Sequence, residues 1–131
     1  MNLQKKILNP QALSSLYEGF PSLDDSEIME VTMKRDEPRV LIKFMIDNKP
    51  ARPPARWPEN YDVVYLALSF IGVRKFSATG WQKKNVATQF LLKNIDDLVS
   101  VCISGKEDLS VSFDCDWISV ESVVPGSIGS P

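Results

Sequence analysis

Beyond its first two dozen residues the apolar positions of this chain recur with a period of two, and that pattern limits the fold more than any other feature. In Glu27–Lys34, Met29, Val31 and Met33 alternate with Glu30, Thr32 and Lys34; after a turn at Arg35–Pro38, Val40, Ile42, Phe44 and Ile46 alternate with Leu41, Lys43 and Met45. Such alternation puts one side of a pleated strand in a core and the other in solvent, so the two runs read as an antiparallel hairpin. Further strands are expected at Tyr61–Phe70, Val73–Thr79, Val86–Ile95, Leu98–Ser104, Leu109–Cys115 and Trp117–Val124. Between the second and third, Asn48–Asn60 carries Pro50, Pro53, Pro54 and Pro58, which cannot donate to a ladder and favour an extended surface loop.

One helical signal precedes the strands. Asn9 stands as an N-cap, Pro10 at the first helical position and Gly19 just past the end, with Leu13, Leu16 and Tyr17 on one face. A helix this short must dock its apolar stripe on something larger. The expected fold is α+β and predominantly antiparallel β: a short N-terminal helix packed on a curled sheet or sandwich of about eight strands. With 131 residues and one run of strands, a single domain is expected over residues 1–124, followed by a flexible tail at residues 125–131.

Composition removes several chemistries. The chain has no His, which excludes Ser-His-Asp, Cys-His and His-zinc mechanisms. It has no glycine-rich phosphate cradle, nucleophile elbow or dinucleotide fingerprint, and no cofactor is expected. No apolar run reaches the roughly 18–20 residues of a membrane helix, and Met1–Pro10 lacks the marks of a secretion signal, so a cytoplasmic protein without membrane attachment is expected. Simple hairpin register puts Cys102 opposite Val111 and Cys115 opposite Leu98, which predicts two buried thiols rather than a disulfide.

Charge is unevenly divided. Residues 1–95 carry a net +4 and residues 96–131 a net −6, the latter from Asp96, Asp97, Glu107, Asp108, Asp114, Asp116 and Glu121 against Lys106. An acidic face that attracts a basic partner is one reading, and solvated strand faces are the other. Two local clusters also stand out. Asp24, Asp25 and Glu27 could ligate a hard cation or supply an acid and a base, which would make a carboxylate-based metal-dependent hydrolase; the plainer reading is a turn before the first strand. Arg74, Lys75, Trp81, Lys83 and Lys84 could hold single-stranded nucleic acid and would make a small RNA-binding module, although lysine pairs also keep edges soluble. Of Trp57, Trp81 and Trp117, the last is expected in the core.

The order of three segments points to a family. Asn9–Leu16, then Phe20-Pro21-Ser22-Leu23-Asp24-Asp25-Ser26-Glu27-Ile28, then Gly80-Trp81-Gln82-Lys83-Lys84-Asn85-Val86 resembles the immunity-protein-fifty family of bacterial polymorphic toxin systems, over roughly Asn9 to Val123. Pro21, Ser22, Asp25, Glu27, Gly80 and Asn85 occupy the family's motif places, whereas Asp24, Leu23, Gln82 and Lys84 depart from its usual His, aromatic, Asn and Gln. The resemblance implies a non-catalytic protein that binds a cognate toxin domain and prevents self-intoxication. On that implication the acidic C-terminal third would plug a basic toxin cleft, with Asp114, Asp116 and Glu121, and Asp24 as an outlier, facing the toxin. The oligomeric state stays open, a homodimer through an exposed strand edge being one option.

Overall fold

The computed structural model describes residues 3–17 and 19–127. Eight strands follow one short helix, α1 (Gln11–Ser14): β1 (Ser26–Lys34), β2 (Arg39–Ile46), β3 (Val63–Ile71), β4 (Arg74–Thr79), β5 (Asn85–Ile95), β6 (Leu98–Gly105), β7 (Ser110–Cys115) and β8 (Trp117–Gly126). They form one sheet, antiparallel as the alternation predicts, in the order β4-β7-β6-β5-β1-β2-β3-β8.

The sheet curls into two layers because its middle is narrow. β1 and β5 pair only at their starts, Ser26 with Ala87, Glu27 with Val86 and Ile28 with Asn85. A bulge then interrupts each strand just beyond that ladder, between Ile28 and Glu30 in β1 and between Ala87 and Gln89 in β5. Bulges bend the strand that carries them and raise its twist, so the two halves swing round to face each other. Phe70 of β3 meets Phe113 of β7 at 5.0 Å, across strands that are five places apart in sheet order, and nearer the narrow middle Phe44 of β2 meets Phe90 of β5 edge-on at 5.5 Å past the intervening β1.

The opposite corner is covalent. Residues of β3 pair with β8 up to Ile71 with Trp117, and residues of β4 pair with β7 from Arg74 with Asp114. The two pairings are one long ribbon kinked at Gly72-Val73 on one side and Asp116 on the other. Gly72 adopts φ +77, and a Cβ there would run into the Asp116 carboxylate, so the corner requires glycine.

The core fills the space between the layers, with Ile42, Phe44, Leu66, Leu68, Phe70, Val99, Val101, Cys115 and Ile118 all fully buried. β3 is largely buried on both faces, since Val63, Ala67 and Ser69 are buried on one side and Leu66 and Leu68 on the other, with only Tyr65 and Ile71 half-buried. As expected, the apolar stripe of the N-terminal segment docks here: Leu13, Leu16 and Tyr17 join the core cluster.

Several expectations are corrected. The helix is one turn long and starts after Pro10, which sits at the N-cap without a side-chain cap. Asn9 does not cap it; its amide instead donates to the Val120 carbonyl (2.9 Å) and accepts from the Val120 N–H (2.8 Å), standing in for a neighbouring strand at the edge of β8. The bulge in β1 makes Met29 an extra residue, 43% exposed, and hands its core position to Ile28. The β6–β7 hairpin is shifted by one residue, pairing Cys102 with Ser112 and Val99 with Cys115, because the turn inside the Ser104–Ser110 pair takes up Leu109 as well, with Glu107 and Asp108 in the left-handed region. A one-residue shift reverses the face of every side chain on one strand relative to the other, and Cys102 is exposed while Cys115 is buried. Trp117 is 40% exposed, and it is Trp57 that packs on the core, edge-on to Tyr61 at 5.5 Å. Pro125 and Gly126, expected in the tail, are the last residues of β8, and residues 128–131 lie outside the described residues.

Gly80 follows β4 with φ +74, and a Cβ there would collide with the backbone carbonyl of Asp108. Left-handed geometry and a rigid neighbour act together, so Gly80→Ala is expected to cost about 2–3 kcal/mol, read as a lowered urea midpoint with unchanged slope.

Candidate functional site

The acidic residues proposed for a partner do not lie in one patch. Asp116 occupies the ribbon corner, where both its oxygens accept from the Arg74 guanidinium, at 3.1 and 3.2 Å. Asp114 is half-buried two positions earlier and pairs across the ladders with Arg74 on one side and Ser100 on the other. The row Lys93–Ser100–Asp114–Arg74 therefore crosses the outer face of the second layer, and beside it runs Leu91–Cys102–Ser112–Ser77, in which Leu91 is the one large side chain.

Glu121 lies elsewhere. It is the extra residue where β8 bulges against β3, and its carboxylate approaches the Arg39 guanidinium at 3.6 Å. It also lines a shallow groove of about 310 Å³ with Leu16, Arg56, Trp57 and Val123. Arg39 is shared with Ser69 Oγ at 3.4 Å and Glu37 at 3.5 Å, a loose surface network of small energetic consequence.

Asp24 marks the third location, just before β1. Its Oδ1 accepts the backbone N–H of Phe90 at 2.8 Å, taking the place of the next ladder partner where β1 has not yet begun and β5 runs on. The Asp25 N–H donates to the Ala87 carbonyl at 2.6 Å, with Asp25 itself in the left-handed region at φ 66. Ser22 Oγ accepts the Asp24 N–H at 3.3 Å, and the buried Ser26 hydroxyl donates to the Leu23 carbonyl at 2.6 Å. This is a strand-entry turn held by local hydrogen bonds. Among the described residues no group of three Cys, Asp and Glu is placed to hold a metal ion.

The other family-motif positions are structural in geometry. Pro21 is buried, and Glu27 pairs between Val86 and Met45. The buried Asn85 side chain grips the backbone of Gln82 at both ends, accepting its N–H at 2.8 Å and donating to its carbonyl at 2.7 Å. That pair closes the Gly80–Lys84 loop and explains an amide at the start of a core strand.

The basic cluster is divided by the length of β4. Arg74 begins that strand and Trp81 follows its end, a separation of about 20 Å at the usual strand rise, and Arg74 is already engaged by Asp116. Lys83 and Lys84 instead share a hollow of about 390 Å³ with Lys106 and Glu107, while Trp81 is 50% exposed.

Sequence reasoning missed Arg52. From the proline-rich loop its guanidinium donates to the carbonyls of Ser14 (2.8 Å), Ser15 (3.3 Å) and Tyr17 (3.4 Å), the acceptors that a short helix leaves unpaired. An Arg among prolines carries no local mark of that role. The Tyr17 hydroxyl donates to the Asn48 carbonyl at 2.6 Å from the same side.

With the geometry in place, comparison with known proteins decides the family. The family model described as Immunity protein 50 matches residues 9–126. The chain belongs to that family. It matches no curated protein and no solved structure. The match runs from Asn9, whose amide covers the edge of β8, to Gly126, the last residue of that strand, so the family unit coincides with the whole two-layer body.

Two titrating groups give tests of this structure. Burial, with Asp116 and Asp114 nearby, pushes the Cys115 thiol up to about 12. At pH 8 a thiol reagent is expected to modify Cys102 alone, and to reach Cys115 only after unfolding. Burial, and secondarily Tyr61, pushes the Tyr17 hydroxyl from 10.0 up to about 12. Its contribution is thus intact below pH 10 and is lost as pH rises from about 10 through about 12. Tyr17→Phe is expected to flatten that alkaline loss while lowering stability at pH 7 by about 1 kcal/mol through the missing hydrogen bond, both read from denaturant melts.

Proposed function

We propose that this protein binds and neutralises a cognate toxin domain by protein–protein contact, without chemistry of its own and in the cytoplasm. The observation that carries the reading is the family match across residues 9–126. The architecture supports it: two layers joined at two corners give a stiff body whose outer faces can be matched to a partner at little ordering cost. No helix among the described residues is long and apolar enough to cross a membrane.

Asp114, Asp116, Glu121 and Asp24 remain the proposed toxin-facing acids. Their separation means that they act as a distributed field on a basic partner rather than as a single contact cluster. Asp114 and Glu121 are the direct probes, because neither makes the two-point guanidinium contact by which Asp116 and Arg74 fasten the corner.

Titration of the purified protein with the inactivated toxin domain encoded beside it, at two salt concentrations, tests the reading. Binding in the nanomolar range is expected. The Asp114→Lys, Glu121→Lys double variant is expected to slow association about tenfold at low salt and to flatten the salt dependence. Undetectable binding by the wild-type protein refutes the immunity reading. Tight binding with an unchanged association rate in the double variant removes the acidic residues from it.

A further inference from the structure

β5 retains a free edge. Past Ala87 its only neighbouring strand among the described residues is β6, and on the other side the sole hydrogen bond is that of the Phe90 N–H to Asp24. The direction of that bond sets the phase. The Phe90 N–H points away from β6, so by alternation the N–H and C=O groups of Leu92 and Asn94 do as well, while Lys93 and Ile95 bond to β6.

Other edges of the sheet are protected. β8 is covered at Ile118 and Val120 by Ile7–Asn9, and further along it carries Pro125, which has no N–H to offer. β4 is six residues long and is broken by an irregularity at which Lys75 takes φ 58. The open side of β1 beyond its bulge exposes Met33 at 60% but carries opposite charges at Glu30 and Lys34 that disfavour an apolar strand. β5 differs: Leu91–Ile95 has neither Pro nor Gly, a single charge at Lys93, and two apolar side chains, Leu91 and Ile95, exposed at 39% and 51%. Free backbone groups beside exposed apolar side chains call for another strand.

We propose that Leu91–Ile95 is the docking strand for an extended segment of the toxin domain. That segment pairs with the outward N–H and C=O groups of Leu92 and Asn94, sets a carboxylate opposite Lys93, and sets apolar side chains beside Leu91 and Ile95. The inference rests on the immunity reading and adds to it the form and chemistry of the partner's contact.

Charge selects a foreign strand over a second copy. Antiparallel pairing of two such edges over Leu91–Ile95 is centred on Lys93, which would lie directly opposite its own counterpart. Moving the centre to Leu92 brings Asn94 of the other copy against the Asp24 carboxylate already seated at Phe90. The same lysine that repels its twin attracts a carboxylate, which is how one residue can admit one partner and refuse another.

The test measures binding of the inactivated toxin domain encoded beside this chain to wild type, Asn94→Pro and Lys93→Glu, together with amide hydrogen exchange. Because the Asn94 N–H faces outward, proline there removes a docking donor and spares the ladder to β6; thermal melts check that each variant is folded, and Lys93→Glu, a surface change, serves if the proline variant is not. Expected are losses of affinity of about tenfold for Asn94→Pro and about fivefold for Lys93→Glu. The Leu92 and Asn94 amides should exchange rapidly in the free protein and at least about tenfold more slowly in the complex. Tight wild-type binding with folded variants within about twofold, or edge amides that stay unprotected in the complex, overturns the docking strand and leaves the immunity reading standing. Edge amides already protected in a free protein of dimeric mass overturn it in favour of a second copy. Absence of wild-type binding overturns the immunity reading, and this proposal with it.

Discussion

Three residue pairs hold the two layers in one sheet. Ser26–Ile28 and Asn85–Ala87 form the whole ladder between β1 and β5, and each strand bulges immediately afterwards. A longer ladder would keep the sheet flat and leave its apolar face open; a shorter one would leave two four-stranded sheets joined only by packing and by the covalent corner at Gly72-Val73 and Asp116. The bulges convert a continuous surface into a fold-over, and the Asp24 carboxylate supplies one further acceptor to β5 just past the ladder. Position 24 thus has a backbone duty that is independent of any partner.

The second corner solves the same problem differently. There the chain passes between layers twice, through Gly72-Val73 and through Asp116, and the Arg74–Asp116 pair fastens the two crossings to each other. Planar, two-point contact between guanidinium and carboxylate suits a corner because it fixes direction as well as distance. A cation and an anion that look available to ligands in the sequence therefore spend their charge on each other.

What the sequence reveals here is the set of strands, because alternation is a local property of each segment and survives into the structure. What it conceals is phase. Met29 and Thr88 each add one residue to a strand, and the side chains beyond them change faces, so Ile28 rather than Met29 reaches the core. The left-handed residues Glu107 and Asp108 lengthen a turn, shift a hairpin by one residue and expose Cys102 in the same way. Candidate site residues were legible as types but not as neighbours: Asp114, Glu121 and Asp24 sit on three different parts of the body, and Lys83 meets Lys106 rather than Arg74. Asn9 reads as a helix cap in sequence because the same amide chemistry serves a strand edge equally well.

The burial of β3 on both faces bears on how the chain can be made. β3 is complete in the sheet only when β8 lies against it, and β8 is synthesised after every other strand. Asn9 in turn closes on Val120 across 111 positions. Until then the most apolar strand of the protein has one side unpaired, and the segment that covers the final edge has nothing to cover. Closure of this body therefore waits for β8, and a chain arrested before β8 would expose β3 as a surface for chaperones or for aggregation.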